Sequence, residues 1–169
     1  MDLSIVVDIL SIIAVVSGLI FAGIELRQFR MSRERESALE LFNTFQSRDF
    51  MSGVRAITKL PDNQSKKQVE ELAGERMDDL YFVLASVEGL GALVHKGELS
   101  LKLVEDFFSG IIVVTWLKLS RFVEEERSAL GRETWAEWVQ WLAEKIMERE
   151  RARSVVPAYI EHQDWEPNQ

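Results

Sequence analysis

An apolar stretch runs from Leu3 to Ile24 with Asp8 as its only charge, and Ile9 to Ile24 is sixteen residues without one. A helix over the whole stretch is roughly 33 Å long at a rise of ~1.5 Å per residue, close to the hydrocarbon thickness of a bilayer. Side chains of this kind must be covered by lipid or by protein, so the choice of cover constrains everything downstream. A cleaved secretory signal needs a basic start and a small-x-small cleavage site; here the start is Met-Asp-Leu-Ser, and Glu25 and Arg27 follow directly. A buried core helix fits the shorter clean run left by Asp8 but needs a large surrounding core. An interfacial helix needs a strongly charged face, which the run lacks. The preferred reading is a single transmembrane anchor over residues 1–28.

The flanks orient it. Arg27, Arg30, Arg33 and Arg35 follow the run, whereas Asp2 and Asp8 lie on the amino-terminal side. Basic residues stay on the cytoplasmic side, which predicts the amino terminus outside and the rest of the chain in the cytoplasm. Arg27, Arg30 and Arg33 are placed to meet anionic lipid head groups; Glu25, Glu34 and Glu36 also allow a neutralised, solvated face.

The remaining residues of the 169 suffice for one core-forming domain. A net charge of −8 argues against nucleic acid as a partner, because phosphate contacts need a basic footprint. The absence of cysteine excludes disulfides and thiolate chemistry.

Apolar periods are helical throughout, and no strand-length run alternates. The class expected is all-α: the membrane helix, possibly continuous with the next segment, and a cytoplasmic bundle of about five helices over 29–153. Ala38, Leu41, Phe42 and Phe45 form an apolar face, and Asp49 is a candidate N-cap for a short helix carrying Val54, Ile57 and Leu60. Val69, Ala73, Met77, Leu80, Leu84, Val87, Gly91 and Val94 then form a heptad-like seam, read as one helix and the longest soluble one, stopped at Gly97. Ser100 is placed to cap a central core helix with Val104, Phe107, Phe108, Ile111, Ile112, Trp116, Leu119 and Phe122 inward. Glu124, Glu125 and Glu126 near its end oppose the helix macrodipole, so the helix is expected to end before them or fray there. Thr134 is the expected cap of a last helix bearing Trp135, Trp138, Val139, Leu142 and Ile146. The tail, 154–169, is expected to dock through Val155, Val156, Tyr159 and Trp165.

The chain resembles the bacterial domain-of-unknown-function family 4760. The similarity lies in Gly18-Leu19-Ile20-Phe21 followed by Leu26-Arg27-Gln28, in Ala38-Leu39-Glu40-Leu41-Phe42, in Leu93-Val94-His95-Lys96-Gly97 and in the aromatic helix with Trp116. The resemblance implies a small membrane-anchored helical protein, hence the inner membrane of a bacterial cell, and brings no catalytic residue.

No enzymatic motif emerges, and no cofactor is implied. His95 and His162 have Ala92 and Tyr159 three residues before them, so the Glu-x-x-His signature of di-iron bundles is absent, as is a zinc ligand set. His95 reads as a helix-end dipole partner. Glu75, Asp78 and Asp79 share a helix face that could attract a divalent cation, although a solvated acidic face is the simpler reading. Trp135, Trp138 and Trp141 suit either a core stripe or an aromatic belt, with Trp141 the candidate for exposure.

The patterned feature is the membrane helix itself. Asp8, Ser11, Ala14, Gly18, Ala22 and Glu25 fall on one side, and Ala14-xxx-Gly18-xxx-Ala22 lets two helices approach closely. That face predicts a homo-oligomer held by its membrane helices and offering its bundle to an unidentified protein partner. The alternative is a small homo-oligomeric pore with acidic rings at Asp8 and Glu25, but Ile12, Val15 and Leu19 would line a wet lumen poorly.

Overall fold

The computed structural model describes residues 15–28, 45–152 and 156–166. All the regular structure among them is helical, as the periodicity predicts. The chain divides into two units, Met1–Thr44 and Phe45–Gln169.

Within the first unit, α1 covers 15–28. Among the described residues no helix is long and apolar enough to cross a membrane. The upstream part of the apolar run and the segment carrying Ala38, Leu41 and Phe42 lie outside the described residues.

The second unit is a bundle of five helices of two turns or more: α2 (Arg48–Lys59), α3 (Lys66–Ala73), α4 (Met77–His95), α5 (Leu101–Leu130) and α6 (Glu137–Ala152), with a single turn, α7 (Ala158–Glu161), in the tail. α4 packs against α2 on one side and α6 on the other, and α5 closes the bundle against α2, α3 and α6. The core comprises Phe50 and Ile57 from α2, Leu80, Val83, Val87 and Leu90 from α4, Ile112, Leu119 and Phe122 from α5, and Val139, Leu142 and Ile146 from α6, all at most 1% exposed. Trp116 is buried as well.

Two glycines set how closely the helices meet. A Cβ at Gly53 on α2 would collide with the carbonyl oxygen of Asp79 and lie 2.6 Å from Val83 Cγ2. A Cβ at Gly91 on α4 would lie 2.6 Å from the carbonyl oxygen of Trp138 and 2.9 Å from its Cβ. At the α2–α4 crossing, the Ser52 hydroxyl also donates to Asp79 Oδ2 at 2.6 Å.

Several boundaries differ from the sequence reading. The seam from Val69 to Val94 is two helices, because Gly74 caps α3 with φ +54° and a 3-10 turn, Gly74–Arg76, leads into α4. That backbone conformation suits glycine and breaks the helix inside an unbroken apolar pattern. The longest bundle helix is therefore α5. Its N-cap is Ser100, as expected, and it runs through Glu124–Glu126 to Leu130, ending at Gly131 with φ +62°. Phe107, assigned inward, is 57% exposed, and Leu117 is 48% exposed. The N-cap of α2 is Ser47, whose Oγ accepts the Phe50 N–H, while Asp49 sits in the first turn. Thr134 does not cap α6: the chain turns at Ala136, with φ +53°, immediately before Glu137. Trp135 thus precedes the helix. Gly97 does stop α4, with φ +74° and with the Glu98 and Gly97 amides bonded to the Leu93 and Val94 carbonyls, a Schellman arrangement.

The tail residues 156–166 are all exposed, Tyr159 at 79% and Trp165 at 69%. The docking expected of the tail is not seen among these residues, where α7 is a single turn after Pro157.

A Gly91→Ala substitution tests the α4–α6 crossing. In a free helix the change stabilises by about 1 kcal/mol. Against the Trp138 backbone it should instead cost about 1–3 kcal/mol in overpacking, read as a lower midpoint in denaturant melts. A stabilised variant would show that the crossing opens freely.

Candidate functional site

The helical form of α1 places Gly18, Ala22 and Glu25, spaced i, i+4, i+7, on one face. Every residue of 15–28 is exposed, Arg27 included, and a Cβ at Gly18 would meet nothing within 4 Å. Asp8, Ser11, Ala14, Arg30 and Arg33 lie outside the described residues.

In the bundle, the polar groups collect where helices begin. α3 opens with a capping box between Ser65 and Gln68. Its first amide, Lys66 N–H, donates to Glu125 Oε2 on α5 at 2.7 Å. The Lys66 ammonium lies 3.0 Å from Glu126 Oε1, which also accepts the Tyr81 hydroxyl of α4 at 2.9 Å. Glu126 is only 5% exposed. These bonds explain why α5 continues through its acidic run: Glu125 and Glu126 gain partners there that outweigh their poor placement on the macrodipole. The hydrogen bond to Glu126 raises the Lys66 ammonium above its ordinary value, and the Lys66 amide holds the Glu125 carboxyl below its own. Burial, then the Glu126 bond, pushes the Tyr81 phenol up to about 12.

A second carboxylate performs the same service for α6. Glu88, half-buried on α4, accepts the Val139 N–H at 2.9 Å. Burial raises its value, opposed by the Val139 and Trp138 amides and reinforced by Glu137. Arg127 of α5 clamps the corner before α6, donating to the Trp135 carbonyl at 2.8 Å, to Gln140 Oε1 at 2.7 Å and to the Ala136 carbonyl at 3.2 Å. Between α4 and this corner opens a cleft of about 410 Å³, lined by Tyr81, Leu84, Ala85, Glu88, Arg132 and Trp135 among others.

Sequence reasoning missed Glu88 and Glu126 as structural acceptors. The signal was available: each is an acid adjoining an apolar seam, Glu88 beside Val87 and Gly91, Glu126 beside Phe122 and Val123. His95, the last residue of α4, packs against Trp138 with ring centroids 4.5 Å apart and rings tilted by 42°, and forms an edge-to-face pair with Trp141 at 5.6 Å. Trp141 is therefore partly covered. Of the acidic face Glu75, Asp78 and Asp79, only Asp79 is drawn inward, by Ser52. Among the described residues no group of three or more His, Cys, Asp or Glu is placed to hold a metal ion.

The model of a family described as a domain of unknown function, DUF4760, matches residues 5–146. The chain belongs to the DUF4760 family. No curated protein and no solved structure matches it. The DUF4760 match spans the apolar N-terminal run and the bundle through Ile146 of α6, so the polar joints at Lys66 and Glu88 both lie inside the family region.

The joint at Glu126 can be read directly from Tyr81. In a Tyr159→Phe background, ultraviolet titration should show Tyr81 ionising at about 12 instead of its ordinary 10.0. Because the folded value is raised, this tyrosine contributes stability below pH 10.0 that is lost as pH rises through about 12. Glu126→Gln should lower the midpoint while leaving it above 10.0, since burial is the larger cause. An unmoved midpoint would show that the bond to Glu126 contributes nothing.

Proposed function

We propose that this DUF4760 protein is a membrane-anchored helical scaffold. It self-associates through its N-terminal helix and presents its bundle to a protein partner on the cytoplasmic side of the bacterial inner membrane. The observation that carries the reading is the exposure of α1: Val15, Leu19, Ile20 and Phe21 are each about 60–70% exposed although all are apolar. Burying such side chains is worth about 1.5–3 kcal/mol each, a strong drive toward cover by lipid or another helix. The described part of the helix is shorter than a bilayer, but the apolar sequence extends upstream to Leu3.

Orientation rests on Arg27, Arg30 and Arg33, which follow the run and suit anionic head groups. Self-association rests on the open space at Gly18, with Ala22 one turn on and Glu25 at the end of the same face. The bundle's acidic balance favours a protein partner over nucleic acid. Exposed Phe107 and Leu117 on α5 add apolar surface of the kind that partners cover.

Membrane anchorage predicts that the full chain stays in the pellet after alkaline carbonate extraction; release into the supernatant would remove the anchor. Self-association predicts that Gly18→Leu, which fills the close-approach surface, lowers the oligomer mass measured in detergent while the thermal melt of the bundle is unchanged. An unchanged oligomer would move the contacts to the bundle, and a monomeric wild type would end the self-association reading.

A further inference from the structure

We propose that the cleft between α4 and the α5–α6 corner binds a small organic cation, a protonated amine on an apolar or aromatic body, with Glu88 receiving the ammonium. This goes beyond the scaffold reading and does not depend on it. The volume of about 410 Å³ falls within the range of small-molecule sites. Leu84 and Ala85 of α4 supply an apolar wall. Tyr81 and Trp135 supply two aromatic rings to the lining, set edge to face with centroids 6.4 Å apart and inclined at 77°. Aromatic lining of this kind suits both a cation and a further arene.

Glu88 gives the cleft its sign. A carboxylate has about four lone-pair sites, so the Val139 and Trp138 amides leave capacity for an ammonium. The groups that face it are Glu137 on α6, Arg127 on α5, Tyr81 on α4 and Arg132 at the loop. Arg127 is engaged by the corner carbonyls and Gln140, and Arg132 is exposed, where solvent screens its charge. Burial already raises Glu88, so an incoming cation relieves an existing cost, whereas an anion would add to it. The corner is also held in place before any ligand arrives: Ala136 keeps its positive φ under the hydrogen bonds of Arg127. A prebuilt wall loses little freedom on binding.

The test titrates phenethylamine into the full chain in dodecyl maltoside and follows the indole N–H resonance of Trp135, assigned with Trp135→Phe. The expected result is a saturable shift, with phenethyl alcohol, the neutral analogue, binding about tenfold or more weakly. Affinity should rise with pH as Glu88 ionises, with a midpoint above the ordinary glutamate value. Glu88→Gln keeps an acceptor for the Val139 amide and should weaken phenethylamine about tenfold with an unchanged melt. Ala85→Phe fills the cleft from an exposed position on α4 while keeping the Glu88 carboxylate in the chain, and should block binding; it decides the matter if Glu88→Gln melts early. The proposal is overturned by no saturable shift up to ~10 mM amine, or by equal affinity for the alcohol. It is equally overturned by undiminished binding to Ala85→Phe or to a folded Glu88→Gln.

Discussion

The bundle depends on how closely α4 lies against its two neighbours. Gly53 removes a side chain on the α2 side and Gly91 removes one on the α6 side, so α4 meets backbone or near-backbone at both crossings. Close approach carries Leu80, Val83, Val87 and Leu90 of α4 into the core and leaves them essentially without solvent exposure. Dispersion falls steeply with separation, so a crossing widened by one methyl group would loosen every pair along the helix.

Tight helix packing leaves helix ends to be satisfied, and this chain uses glutamates from other helices. Glu125 receives the first amide of α3, and Glu88 receives an amide in the first turn of α6. Each acid meets the positive end of a dipole that is not its own, where negative charge is favourable. The two joints differ in environment. Glu125 is held low by its bonds, so its contribution appears above the unfolded value and is lost as pH falls through the folded one. Glu88 is held high by burial, so its contribution weakens as pH rises through the ordinary carboxylate range.

The features legible in the sequence are those set by neighbours along the chain. Ser100 as a cap, Gly97 as a stop, and the inward rows Ile112–Leu119–Phe122 and Val139–Leu142–Ile146 follow from local chemistry and period. The break at Gly74 was hidden because Val69, Ala73, Met77 and Leu80 keep their spacing across it. The inward turn of Phe108 and the outward turn of Phe107 could not be separated, since both fit a wide apolar stripe on α5. Thr134 carried the right chemistry for a cap, but the amides of α6 are served by a residue 51 positions earlier than Val139, a distance no local rule spans. Of the candidate membrane face, the spacing of Gly18, Ala22 and Glu25 translates directly into one side of α1. The cleft was illegible because its walls come from α4 and from the corner before α6.

Lys66 is gripped twice by consecutive residues of α5: its amide by Glu125 and its ammonium by Glu126. Apolar contacts such as those of Val69 and Ala73 are non-directional and would tolerate a helix sliding along its neighbour. A slip of one residue in α3 would forfeit both polar contacts together, as well as the alignment of Glu126 with the Tyr81 hydroxyl. The short helix is therefore indexed against α5, its axial position and its rotation specified by a pair of adjacent acids, much as a key is fixed in a shaft.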